Sequence, residues 1–163
     1  MRLRSAAFGS ALFFVLAPGV VVGLVPWWLT RWVAQPAAWP VRVLGALLFV
    51  VALPVLVAAD VRVVRDGLGT PAPVAPTEHL VVTGAYRYVR NPMYLAVVGA
   101  IVGQALLLGQ PGLMPYALGV LVLVATFVRF YEEPALRRQF GAEYEAYCRA
   151  VPGWWPRLRP WNG

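Results

Sequence analysis

Four apolar runs divide the chain, and polar residues collect between and after them. The first run covers residues 6–29, the second 41–59, the third 92–109 and the fourth 113–130. Arg2 and Arg4 precede the first, as in a secretory leader. The run is long for a leader, however, and no clear cleavage site stands before Trp27-Trp28. It is expected to be a retained spanning helix bent at Pro18. Its Gly19-Val-Val-Val-Gly23 spacing admits close helix contact, although small-residue content alone accounts for it. Trp27, Trp28, Trp32 and Trp39, mixed with Pro26, Pro36 and Pro40, predict a turn at the lipid headgroups, where an indole keeps its N–H wet. Arg42 can snorkel from the start of the second run, and Pro54 predicts a kink in it. Asp60, Arg62, Arg65 and Asp66 end its hydrophobic stretch. The third and fourth runs each span roughly 25 Å as helices, just enough to cross a bilayer. The short uncharged link 110–115 predicts an antiparallel hairpin, with Gly99 and Gly103 smoothing its contact face.

Composition places the chain in a membrane. Hydrophobic residues make up 60% and charged residues 13% of 163, against about 25% charged in soluble domains. The net charge is +7, and all 14 basic residues are Arg. They cluster between apolar runs, which fits membrane topology better than a groove for nucleic acid. One cysteine, Cys148, excludes an intrachain disulfide, and with one histidine it argues against a structural zinc site. With both termini cytoplasmic, only Arg31 and Arg42 fall outside, and the other Arg residues satisfy the positive-inside rule. This orientation puts residues 79–94 and the C-terminal tail on the same side.

Residues 79–94 form the most polar and aromatic stretch. After a Gly/Pro-rich connector at 67–77, His79 to Val82 is a short extended run whose backbone groups suit either a flat heterocycle or plain surface packing. Tyr86, Arg87, Tyr88, Arg90, Asn91 and Tyr94 follow. Asn91-Pro92 reads as the cap and first residue of the third helix. The free N–H groups of that helix start, beside Arg87 and Arg90, suit a carboxylate; interfacial snorkelling is the competing account for the Arg pair. The fourth run ends in Arg129-Phe-Tyr-Glu-Glu133, then Pro134. Adjacent carboxylates at a membrane edge are costly unless hydrated or paired. Arg129–Glu133 and Glu133–Arg137 have i,i+4 spacing if the helix continues, whereas Pro134 argues for a bend that frees Glu132 or Glu133 for a ligand. Leu136, Phe140, Tyr144, Tyr147 and Val151 recur at helical spacing, which predicts an amphipathic helix lying on the membrane or capping the loop. The stretch 152–156, with two Trp between prolines, stops it.

Gly84-Ala-Tyr86, Arg90-Asn-Pro-Met-Tyr94, Glu132-Glu133-x-x-Leu136, Phe140-Gly141 and Tyr144-x-x-Tyr147 occur in that order. Over residues 79–156 the chain resembles the isoprenylcysteine carboxyl methyltransferase family and its phospholipid methyltransferase relatives. The resemblance implies a multi-pass membrane enzyme that uses S-adenosylmethionine. It implies that His79, Leu80, Val81 and Val82 line the adenosyl pocket. Tyr86, Arg90, Asn91, Pro92, Met93 and Tyr94 would hold the cofactor with Glu132 and Glu133, while Arg129 would act on the substrate side. Two positions depart from the pattern. Asn91 stands where the family carries His, so it can bind but not titrate near neutrality. Gly153 stands where relatives often carry Arg, which removes any contact from that side chain.

The expected fold is all-α: a polytopic membrane protein with about four transmembrane helices and a C-terminal amphipathic helix. It forms one domain over 1–163, with anchoring helices at 1–60, a cofactor loop at 61–91, a hairpin at 92–130, and an amphipathic helix and tail at 131–163. The expected activity is methyl transfer from S-adenosylmethionine to a lipophilic or membrane-embedded acceptor, with membrane lipids as the surroundings, no nucleic-acid partner and no metal. The expected location is a bacterial cytoplasmic membrane, multi-pass, with the site cytoplasmic. Two alternatives stand beside it: a membrane reductase binding a nicotinamide dinucleotide through the Arg-rich loop, and a scaffold in which Arg and Trp only set topology.

Overall fold

The computed structural model describes residues 16–67 and 77–162, and among these every regular element is helical. Helix α1 is Gly19–Thr30, a π-helical stretch (Gly19–Leu24) continued by an α-helix (Val25–Thr30). Helix α2 is Trp39–Gly67, α3 is Pro92–Leu108, α4 is Leu113–Phe140 and α5 is Ala142–Ala150. A 3₁₀ turn at Gly84–Arg87 precedes α3. Helices α2 and α4 are long and apolar enough to cross a membrane; α1 and α3 are apolar but shorter. The first fifteen residues of the chain, with most of the first apolar run, lie outside the described residues, as does the greater part of the 67–77 connector.

Helix α2 runs past its apolar stretch. The charges from Asp60 to Asp66 do not end it, and Pro54 lies inside it. Arg62 and Asp66 sit one turn apart at 3.5 Å, which supports a final hydrated turn. Arg42, at the other end, donates to Gln35 O at 2.6 Å.

Each irregular turn has a local cause. In α1 the Val25 N–H reaches back to Val20 O, a π-type step that leaves Val21 O without its α-helical donor. Tyr116 Oη donates to that carbonyl at 2.8 Å. Pro26 has no N–H for Val22 O, and Gln104 Nε2 supplies one at 2.8 Å. The irregular turn of α1 therefore belongs to Pro26 rather than to Pro18, and side chains from α3 and α4 pin it. Trp32 Nε1 completes the cluster by donating to Gln104 Oε1 at 3.2 Å. Gly23 has open space around it, so the Gly19/Gly23 pair is not a helix contact.

Gly99 and Gly103 serve a different partner from the one expected. A Cβ on Gly103 would stand 2.9 Å from Phe49 N and 3.0 Å from Gly45 O, and one on Gly99 would meet Leu48 and Ala52. The small residues therefore bring α3 against α2, not against its hairpin partner α4. The core follows this seam, with Leu56, Ala59, Ala100, Ile101, Leu113 and Ala117 buried in it. Outward faces carry exposed Leu44, Leu47, Val50, Leu118 and Leu123. A girdle of this kind suits lipid rather than water.

Helix α4 does not stop at Pro134. It passes through a π turn, Val128–Glu132, and continues as Glu133–Phe140 with Pro134 in its first turn. The wider π turn accommodates a ring that would strike the carbonyl four residues back in a regular α-helix. The predicted single amphipathic helix is instead two, parted at Gly141, whose φ of 51° and ψ of −122° suit glycine. The apolar face of α5 does not lie outward. Tyr144, Tyr147 and Val151 are buried against Leu80, Val82, Phe140 and Trp161, so the helix caps the loop.

Candidate functional site

The start of α3, the π turn of α4 and the buried face of α5 converge on one cavity of about 270 Å³. Its size lies near the lower end of the roughly 300–1,000 Å³ common for small-ligand pockets. Arg90 crosses the centre. Its Nη1 donates to Glu133 Oε1 at 2.9 Å, to Tyr144 Oη at 3.3 Å and to Cys148 Sγ at 2.9 Å. Its Nε is buried with no partner. Tyr94 Oη donates to Glu132 Oε2 at 2.8 Å, joining the first turn of α3 to the π turn. Tyr147 Oη donates to Tyr86 O at 2.6 Å and ties α5 to the 3₁₀ turn.

The π turn has a chemical consequence. Glu132 and Glu133 both border the cavity, Glu132 toward Tyr94 and Glu133 toward Arg90. Glu133 has two further cations, Arg129 and Arg137, at 3.9 Å each. Both readings of this segment therefore hold in part: the helix continues with its i,i+4 pairs, and the carboxylates still face a shared space. Burial works against the Arg90 charge, but Cys148, Tyr144 and Glu133 more than offset it and raise its pKa. Burial pushes the phenols of Tyr86, Tyr144 and Tyr147 above the ordinary tyrosine range. They remain neutral hydrogen-bonding groups.

Ten of the sequence-predicted positions border this space: Leu80, Val81, Tyr86, Arg90, Asn91, Pro92, Met93, Tyr94, Glu132 and Glu133. Three do not. His79 is exposed, Val82 packs beneath α5, and the Arg129 side chain is 67% exposed outside the cavity. Val81 is buried at the cavity, its neighbour Val82 turns to the second core, and Leu80 touches both. Asn91 holds the cap position, but its side chain makes no cap bond to α3. Its Nδ2 donates instead to Gly153 O at 3.1 Å. Arg87 neither faces the cavity nor snorkels; it bonds Trp161 O at 2.8 Å and Asn162 Oδ1. Tyr144 and Tyr147 also line the cavity. Their spacing marked them as the apolar face of a helix lying on the membrane or capping the loop, and their motif as part of the family pattern, but neither placed them in the cavity wall.

The polar groups in this cavity, two carboxylates and a guanidinium, can hold a ligand that carries both charges. A family model described as phospholipid methyltransferase matches residues 41–143. The chain belongs to the phospholipid methyltransferase family. The match runs from α2 to the start of α5 and includes both halves of the cavity. Membership makes the protein a membrane methyltransferase, and the apolar helices α2 and α4 agree with that location. A methyltransferase of this family takes its methyl group from a donor. No curated protein and no solved structure matches the chain significantly.

Proposed function

We propose that the protein transfers a methyl group from S-adenosylmethionine to a lipophilic acceptor. The observation that carries this reading is the pairing of Arg90 and Glu133, 2.9 Å apart, in the wall of one cavity. A zwitterionic amino-acid moiety matches both signs. The Arg90 guanidinium suits the carboxylate; Glu132 and Glu133 suit the ammonium or the ribose hydroxyls. Tyr86, Tyr94 and Tyr144 offer ring faces to the purine and the sulfonium, and Leu80, Val81 and Met93 add apolar wall. His79 and Val82, outside this wall, are left without a cofactor role. When bound, the donor supplies a methyl group already activated by its sulfonium. The chain's part is to orient it, exclude water and admit the acceptor in line. A carboxylate acceptor needs no base at all, as in the isoprenylcysteine-like reaction.

The acceptor side faces the bilayer. Phe127 and Tyr131 stack at 5.1 Å along the cavity edge on α4, and Tyr131 is half exposed. A lipid-borne group can enter past them. Arg129, exposed one turn before Glu133, is positioned to meet a polar part of that acceptor. In this reading the whole chain is one methyltransferase domain of four membrane-embedded helices, α1 and α3 being the shorter two. Both termini and the cavity lie on the Arg-rich cytoplasmic side, and the Arg/Ala/Val/Pro-rich, Lys-free composition suits a bacterial cytoplasmic membrane. The experiment is methyl transfer from labelled S-adenosylmethionine into a bacterial membrane extract. The expected result is label in the organic-solvent phase that needs the protein. Label confined to water-soluble products, or none, contradicts the reading.

A further inference from the structure

The tail after α5 does not trail away. It turns back along the loop that carries Arg90. Arg90 N donates to Pro152 O at 3.0 Å and Asn91 N to Gly153 O at 3.3 Å, and the Asn91 side chain donates to the same Gly153 oxygen. Farther on, Arg157 N donates to Tyr88 O at 2.9 Å and Trp161 N to Arg87 O at 3.0 Å. Arg87 returns a bond to Trp161 O. Every contact lands within residues 87–91, the segment that aims Arg90 into the cavity. The Trp161 ring sits 5.5 Å from that of Tyr147, which lines the cavity from the other side. Gly153 lies so close that a Cβ there would stand 3.2 Å from Arg90 Nη2 and 3.5 Å from Asn91 Nδ2.

We infer that the C-terminal strap, residues 151–162, is a positioning element of the donor site, acting on Arg90 through Asn91 and Gly153 and on Tyr147 through Trp161. The reasoning is geometric. Arg90 makes three side-chain contacts through one nitrogen, and this requires a fixed backbone origin. An arginine side chain is long and rotamer-rich, and its entropy is lost more cheaply when its main chain is already held. The segment 88–91 lies between a 3₁₀ turn and a helix, and the strap supplies the bonds that neither element gives it. Asn91 is thereby a positioning residue: its amide is committed to the strap rather than offered to the donor.

This inference rests on the reading of the cavity as a methyl-donor site, so its test has two arms on the full-length purified protein. The first is amide hydrogen exchange at residues 86–91 without ligand. Trp161→Ala is expected to speed exchange there, and Trp161→Phe, which keeps a ring against Tyr147, is expected to match wild type. The second is calorimetric titration with S-adenosylhomocysteine. Trp161→Ala and Gly153→Ala are each expected to weaken binding about tenfold, with Trp161→Phe within about twofold. If Trp161→Ala does not fold, Gly153→Ala decides, because the atoms nearest its added methyl belong to the side chains of Arg90 and Asn91. Unchanged exchange in Trp161→Ala together with wild-type affinity in Gly153→Ala overturns the strap. If the wild type binds no ligand, the donor reading has failed and the exchange arm alone decides the positioning role.

Discussion

Single residues here do jobs set by their immediate partners. Glu133 meets a buried guanidinium at 2.9 Å with its own side chain 13% exposed. Removing it strands Arg90 in the cavity wall, and Glu133→Ala is expected to weaken S-adenosylhomocysteine binding by about tenfold or more. Arg129, two-thirds exposed, makes only a long contact with the same carboxylate. Arg129→Ala is therefore expected to leave donor affinity within about twofold and to raise the KM for the acceptor; steady-state kinetics in both substrates separates the two. The buried phenols give a pH prediction. Tyr86, Tyr144 and Tyr147 have pKa values raised by burial, so the folded state holds their protons more tightly than the unfolded one. The stability this contributes is present below about pH 10, the unfolded tyrosine value, and is lost as pH rises above it. Thermal unfolding in detergent between pH 8 and 11 checks the sign: the melting temperature falls only in the alkaline half.

At the scale of elements, small residues decide which helices touch. Gly103 and Gly45 lie in the α2–α3 seam, where an added side chain meets backbone. Gly103→Val is expected to lower stability by about 1–3 kcal/mol, whereas Gly23→Ala, in open space, is expected to be nearly neutral; unfolding in the same detergent compares them. Gly99 and Gly103 were visible in the sequence, but a spacing of small residues does not name the partner helix. The prolines tell the same story. Pro134 was legible as a disturbance, yet a π turn absorbs it without breaking the helix; in α1 it is Pro26 whose missing N–H matters, and Tyr116 and Gln104 satisfy the freed carbonyls. The Asp60–Asp66 charges ended the apolar run but not the helix, since helix formation outlasts burial when charges pair one turn apart.

For the whole molecule, two distant stretches became one site. Motif order linked residues 79–94 with residues 129–133 and 144–147, and the fold brings most of them around one cavity. What stayed hidden was which side of the extended run faces inward: Val81 rather than Val82. That choice depends on α5 and the strap, whose contacts cross more than sixty positions of sequence. Asn91 and Gly153, where the sequence departs from the pattern it resembles, touch each other there. The central claim is a donor bound in the cavity that Arg90 and Glu133 line. Calorimetry of the purified protein with S-adenosylhomocysteine tests it most directly. Saturable one-to-one binding, weakened by Glu133→Ala and by Tyr94→Ala, is the predicted result. No binding by the wild type at millimolar ligand, or wild-type affinity in both variants, contradicts it.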